Sequence, residues 1–469
     1  MRTERDSLGE KSIPDNKYYG IHTARALENF GAAAESIDPI FVKAYLYVKK
    51  AACMANIGIK SIDETRGAAI LKAIDALISS GDYTDICVNP LCGGAGTSVN
   101  MNINEVIANR SLELSGRSKG EYDYINPLDH VNMHQSTNDT FPTALRVAMM
   151  LRLKSLEKPL ISLQEAFQAG EKEFADVVRL GRTELMDALP ITVGMQFSAY
   201  SEAIGRDRWR IFKSEERIKT VNLGGTALGT GFGASREYIF SVWQHLKTIT
   251  GIQLSRAENL VDATQNFDQI VEVMGMVKAL AVNVMKICGD LRLSASGPEG
   301  GIGEFILPAL QEGSSIMAGK INPVIPEFCI QSSIQVLAND GAIAMAAATG
   351  NLDLNQNAPL IAHLSLKNLR LMEEAVSAMD QKLVRGLKLN LEKIKFNLHD
   401  SVAILTYLAT VIGHDMASAA ALEVKKSGKS PREVLSDSGV LSGEKYDDLV
   451  KPEKIRMLGF VKQERTDSR

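Results

Sequence analysis

Residues 267–293 read FDQIVEVMGMVKALAVNVMKICGDLRL. Ile270, Val273, Met274, Val277, Ala281, Val284, Met285 and Cys288 recur at steps of three and four, which is one face of a helix. Much of what lies between them is apolar too, the pattern of a helix surrounded by other helices. A run this long, and this rich in Ala and Met, does not read as a strand. Proline spacing agrees. Pro190 is followed by no proline until Pro298, and Pro359 by none until Pro431. A proline inside a helix costs about 3 kcal/mol, so these spans leave room for long helices. Residues 330–349 carry one charge, Asp340, among Ala, Ile, Val and Gln, and read as a helix buried on most sides.

Outward from this stretch there is no strand–helix alternation and no repeat of fixed period. The Gly-rich segments 224–233 and 297–303 read as loops, and the tail from Thr466 is polar. The expectation is an all-α fold of three helical domains. These are an N-terminal domain at 1–138, a central long-helix bundle at 139–393 and a small C-terminal domain at 394–469. Long helices apolar on all sides imply that bundles from several subunits pack together.

Composition narrows the function. The 469 residues correspond to about three domains. Lys and Arg number 52 against 56 Asp and Glu, a net charge of -4. That balance offers no footprint for nucleic acid or an anionic membrane. No apolar run approaches the ~20 residues of a membrane span. The start, MRTERDSLGE, lacks the apolar core of a signal peptide. Cys53, Cys87, Cys92, Cys288 and Cys329 form neither a disulfide framework nor a zinc pattern. The compartment reads as reducing, hence cytoplasmic.

Four segments do not look like core. They are GGAGTSVNMN from Gly93, DHVNMHQSTND from Asp129, GRTELMD from Gly181 and GSSIMAGKINP from Gly313, with Glu327 shortly after. Singly, the first three suit helix caps and turns. The first lacks the GKS or GKT ending of a phosphate loop, and no strand precedes the glycines at 224–233. His130 and His134 stand four apart but lack the third ligand and nearby acid of a zinc enzyme. Together the segments supply neutral donors, namely Thr97, Ser136, Thr137, Asn138, Thr183 and Asn322, and one cation, Lys320. Such a set suits the carboxylates of a small dicarboxylate. No cofactor motif and no metal site accompanies it, so the chemistry expected is acid–base only.

These segments carry a resemblance. GSSIMAGKIN matches the signature G-S-x-x-M-x-x-K-x-N of the aspartase/fumarase superfamily at every fixed position. The other three are similar to that superfamily's blocks, in the same order. YYGIHTARALENF from Tyr18 and SVAILTYLATVIGHDMA from Ser401 resemble its N-terminal and C-terminal segments. Within it, QSTND at residues 135–139 and KINPVIPE at residues 320–327 look most like the aspartate ammonia-lyase branch. The resemblance implies three all-α domains and a homotetramer whose central bundles form a common core. Each active site would draw on three subunits. The reaction implied is reversible loss of ammonia from L-aspartate to give fumarate, through an aci-carboxylate. Ser314 would be the base. Thr97, Ser136, Thr137, Asn138, Thr183, Lys320 and Asn322 would bind substrate, with Lys320 also catalytic. His130 and Glu327 would support them. Preorganised donors aimed at the developing charge are usually the largest catalytic contribution. The glycines at 297, 300, 301, 303 and 313 suggest a loop that closes over substrate.

One position departs. Relatives carry His or Gln after the Gly-Arg-Thr, and here the residue is Glu184. Two carboxylates at close range do not both ionise cheaply. Glu184 and Glu327 could therefore share a proton and act on the amine, giving Glu184 a catalytic role. The alternative is that Glu184 turns away to a cation such as Arg182. The other readings are a fumarate-releasing lyase for a modified or N-substituted aspartate, then fumarate hydratase, then a catalytically silent structural homologue. Ala318 and His134 depart from the pattern as well, where Pro and a Ser or Cys are usual.

Overall fold

The computed structural model describes residues 1–31, 35–399 and 401–459. The tail from Thr466 lies outside them. The first elements are β1 (Arg2–Asp6), β2 (Gly9–Ile13), α1 (Ile21–Phe30), α2 (Pro39–Gly58), α3 (Glu64–Ser80), α4 (Thr97–Leu114) and α5 (Thr137–Glu173). There follow β3 (Val178–Thr183), β4 (Met186–Thr192), α6 (Val193–Ile218), β5 (Thr220–Val221), α7 (Arg236–Thr250), β6 (Ser255–Arg256), α8 (Leu260–Gln265) and α9 (Asp268–Ser294). The rest are β7 (Phe305–Ile306), α10 (Val324–Ala348), α11 (Ala358–Lys382), β8 (Lys388–Leu389), α12 (Leu391–His399) and α13 (Ala403–Ile412). Four short helices close the chain: α14 (His414–Ser427), α15 (Pro431–Asp437), α16 (Gly443–Leu449) and α17 (Pro452–Arg456). Helix makes up 64% of the described residues, so the fold is mainly helical, as expected. Among the described residues the strands pair only in twos, β1 with β2, β3 with β4, β5 with β6 and β7 with β8. The N-terminal region thus opens on a hairpin rather than a helix.

The chain groups into two compact units. The first comprises Met1–Lys158, Trp209–Ala281 and Ser332–Glu374. In it α2 packs on α3 and α7, and α3 on α4. Phe41 and Phe141 pack at a tilt with 4.9 Å between ring centres, with Tyr45 beside them. The second comprises Pro159–Arg208, Val282–Gln331 and Ala375–Arg469. Its core includes a ring cluster of Phe167, Phe174, Phe197, Tyr200 and Phe305. A satellite core joins α13 to α16 through Leu408, Leu435, Val434 and Tyr446.

Stretch 267–293 is helical as its period predicts. Ile270, Val273, Met274, Val277, Ala281, Val284 and Cys288 are buried, and Met285 is half-buried. Among the described residues the longest helix, α5, runs through Pro159. Leu153, Leu156, Leu160, Leu163 and Phe167 are buried along it. Each buried side chain contributes about 1.5–3 kcal/mol, more together than one proline costs. One expectation needs correction: α10 is not buried on most sides within one chain. Ile334 is 54% and Met345 66% exposed, on a face shared with Ala338 and Gly341. Among the described residues, no helix is long and apolar enough to cross a membrane.

Candidate active site

Two helices begin at one cavity of the first unit. Helix α4 starts at Thr97, directly after the Gly94–Gly96 turn. Gly96 has φ +94° there, and a β-carbon on it would lie 2.4 Å from the Phe141 ring. Only glycine fits both demands. Thr97 Oγ1 donates to Gly94 O at 2.7 Å. Helix α5 starts at Thr137 with Ser136 before it. The Ser136 hydroxyl accepts from the Asn138 N–H at 3.2 Å, and Asp139 accepts the Ser136 N–H at 3.0 Å. The capping reading of QSTND is thus realised, and it also fixes where the donors point. Between these helix starts lies a cavity of about 500 Å³. Thr97, Ser136, Thr137 and Asn138 line it, with Asn100, Asn132, His134 and Gln135. Loop residues Thr226, Ala227, Phe232 and Gly233 complete the wall. Two helix N-termini, with the positive ends of their dipoles, favour bound carboxylates.

Buried polar groups hold this wall in place. The Asp139 carboxylate accepts from Gly224 N at 3.0 Å and Thr226 N at 3.1 Å, tying the glycine loop to α5. Burial pushes the Asp139 carboxyl up to about 6. Asn138 donates to Ala227 O at 2.8 Å. Asn100 donates to Thr137 Oγ1 at 3.0 Å and to Asn132 Oδ1 at 3.1 Å. Lys49, buried on α2, donates to Asn132 Oδ1 at 3.0 Å and Gln135 Oε1 at 2.9 Å. Burial lowers its ammonium to about 7.

The two histidines do not share a helix face. His130 sits in the π-helical turn Pro127–Val131, which ends before His134. Its Nδ1 accepts the Asn126 N–H at 2.9 Å, leaving the ring proton on Nε2. His134 has φ +62° and meets Asn56 Oδ1 through Nδ1 at 2.7 Å. Asn56 Nδ2 donates to Met133 O at 3.1 Å, so its Oδ1 is the acceptor and His134 Nδ1 carries the proton. Burial lowers the proton affinity of both rings.

The remaining candidates lie in the second unit. Ser314, Lys320 and Asn322 share one loop, closed on itself. Gly313 N donates to Lys320 O at 2.9 Å, and Asn322 Nδ2 to Gly313 O at 2.6 Å. A β-carbon at Gly313 would stand 2.4 Å from Lys320 O. Ser314 Oγ accepts the N–H groups of Ile316 at 3.2 Å and Met317 at 2.9 Å. Donors of this kind stabilise an alkoxide over the neutral hydroxyl. Glu327 lies in the first turn of α10. Thr183 and Glu184 are exposed at the tip of the β3–β4 hairpin. Glu184 and Leu185 form its two-residue turn, with φ of +54° and +64°. Arg182 is committed to the buried Glu304 at 2.8 Å, so the alternative partner foreseen for Glu184 is engaged elsewhere.

The sequence reading assigned no role to Lys49, Asn100, Asn132 or Gln135, and it took 224–233 for a plain connector. Lys49 carried a signal: it is a charge within the apolar run AYLYVKKAAC, on the face that Tyr45, Leu46 and Cys53 bury.

Comparison with known proteins agrees with these motifs. The family model described as Lyase matches residues 9–338, and that described as Fumarase C C-terminus matches residues 404–456. The chain is 42% identical over 461 residues to an aspartate ammonia-lyase of Bacillus sp, covering 98% of each. It is 40% identical over 470 residues to the aspartate ammonia-lyase of Escherichia coli (strain K12), covering 100% of this chain and 98% of that one. A fumarate lyase:delta crystallin from Brucella melitensis bound to cobalt has a TM-score of 0.91 at 41% identity, over 97% of this chain and 99% of that chain. A class II fumarase from Schistosoma mansoni has a TM-score of 0.89 at 31% identity, over 96% and 98%. On motif order, fold and full-length identity, the chain belongs to the aspartase/fumarase superfamily of lyases.

Proposed function

We propose that this chain catalyses the reversible elimination of ammonia from L-aspartate to give fumarate. The observation that carries the reading is the convergence of Thr97, Ser136, Thr137 and Asn138, with two helix starts, on one cavity. Those groups and Thr183, Lys320 and Asn322 bind the carboxylates and amine. Ser314 Oγ takes the proton from the β-carbon, and the electron pair moves into the adjacent carboxylate as an aci-carboxylate. That pair then forms the double bond while the carbon–nitrogen bond breaks and ammonia leaves. The N–H groups on Ser314 Oγ support its role as base, since they oppose the cost of its alkoxide. Lys320 adds a positive charge to the same loop. Glu184, with Glu327, holds or shares the proton at the amine, and His130 supports the wall.

The assembly belongs to the same reading: a homotetramer with each site drawn from three subunits. The exposed apolar face of α10 supports it, as do the exposed hairpin tip and the exposed 315–321 segment. The division into domains at 1–138, 139–393 and 394–469 and a cytoplasmic location are further parts of it. The acid at Glu184 favours a second reading, a lyase for an N-substituted aspartate. Replacing Asn138 by Ala tests the cavity. The expected result is a KM for aspartate raised about tenfold or more, the scale of one lost hydrogen bond to a charged group. Unchanged aspartate kinetics would remove the cavity from the site.

A further inference from the structure

Lys49 belongs to none of the four polar segments, yet it lies directly beneath the cavity wall. It is 1% exposed. Its Nζ donates to two neutral oxygens, Asn132 Oδ1 at 3.0 Å and Gln135 Oε1 at 2.9 Å, and both residues line the cavity. Asn132 Oδ1 is a hub. It also accepts from Asn100 Nδ2 at 3.1 Å and Asn104 Nδ2 at 3.2 Å. Asn100 reaches on to the Thr137 hydroxyl. One lysine therefore orients a chain of amides that ends on a substrate-binding hydroxyl.

The charges around it are few. On its own helix stand Tyr45, whose ring centre is 5.5 Å from Nζ, and Lys50, which pairs with Asp75 of α3. Helix α4 brings the neutral Asn100 and Asn104. The segment before α5 brings His134, and α5 brings Asp139. Helix α7, which packs on α2, carries Tyr238, whose ring centre is 5.2 Å from that of His134. Of these, Asp139 alone raises the lysine's affinity for its proton, and it does so without a hydrogen bond. Asp139 itself is occupied by three backbone N–H groups. A buried ammonium with only neutral direct partners binds its proton weakly. Both protonation states of the amine keep two N–H donors, so the network survives the titration.

We propose that Lys49 is a positioning residue for the cavity and the group that takes up a proton when a dianionic ligand enters. This inference rests on the cavity being the substrate site. A dianion arriving on the far side of Asn132 and Gln135 supplies the negative charge that the site lacks. The lysine is then drawn to its charged form, so its contribution to binding is full where the free lysine is already charged and is lost as pH rises above neutrality.

Calorimetry of fumarate binding at pH 7, in buffers of different ionisation enthalpy, measures the protons taken up. The slope expected is about half a proton per site, as for a group titrating near neutrality (about 7). At pH 9 the uptake rises and affinity falls. Lys49→Gln keeps an N–H donor without the charge. It is expected to abolish the buffer dependence and to flatten the pH profile of KM between 6 and 9, beyond any change in kcat. A merely structural lysine would leave that profile in place. Fumarate that binds the parent enzyme without proton uptake overturns the inference and leaves the lyase reading intact. Uptake that persists in Lys49→Gln assigns the proton to another group and also overturns it. Absence of fumarate binding overturns both the inference and the cavity on which it rests.

Discussion

Ser314 is the residue on which the proposed chemistry turns. A hydroxyl is a poor base in water, and two backbone N–H groups on Oγ are what lower the cost of its alkoxide. Ser314→Ala is expected to cut kcat by about 10²–10⁴-fold, the range of a positioned acid–base group, with the thermal midpoint unchanged. A comparable loss of stability would mark the serine as a turn residue only. Glu184→Gln separates the roles open to that acid. If Glu184 and Glu327 share a proton, turnover falls and the acid limb of the pH profile moves. Unchanged turnover and an unchanged profile would sink the shared proton. Lys49 adds a stability effect with a definite sign. Its proton affinity is lower folded than unfolded, about 7 against 10.5, so the unfolded chain holds more protons between those values. Its penalty on the fold is full below pH 7 and gone above 10.5. The stability of the parent relative to Lys49→Gln is therefore expected to rise from pH 7 to 10, and a flat difference would contradict the burial argument. The cavity-lining Thr97, Ser136, Thr137 and Asn138 were legible in the sequence because hydroxyls and amides cluster in a few segments. Lys49 was not, because one lysine in an apolar helix looks like an edge residue until burial places it.

At the scale of elements, the loop around Ser314 depends on the absence of a side chain at Gly313. A β-carbon there would meet Lys320 O at 2.4 Å, so Gly313→Ala pushes Lys320 and Ser314 apart. The expected result is a large loss of kcat with little change in helix content by circular dichroism. Full activity would mean that the loop opens on every turnover and this closed form is incidental. The long helices could be read from period alone, since a three-and-four repeat over 27 residues has no strand interpretation. The β3–β4 hairpin could not. Its turn has two positive φ values, normally the mark of Asn-Gly or Asp-Gly, and here they fall on Glu184 and Leu185. Helix α5 shows a local signal overridden by packing. Pro159 is a local signal, and the burial of α5 is a tertiary effect that exceeds it.

For the whole molecule, the exposed apolar face of α10 is the feature that one chain leaves unexplained. Solution mass is expected to correspond to four chains, and Ile334→Glu on that face is expected to split the assembly and abolish activity. A stable, active monomer would contradict sites shared between subunits. Mixed assemblies test the sharing itself. Ser314→Ala and Asn138→Ala, each impaired alone, are expected to regain turnover when their subunits are mixed, because some sites then receive both intact residues. The most direct test of the account is absorbance in the fumarate band, with ammonia measured alongside, for the purified protein given L-aspartate, L-malate and N-substituted aspartates in parallel. The account predicts fumarate and ammonia in equal amounts from L-aspartate. Fumarate from another member of the panel but not from aspartate would contradict the substrate, and silence across the panel would contradict the lyase reading itself.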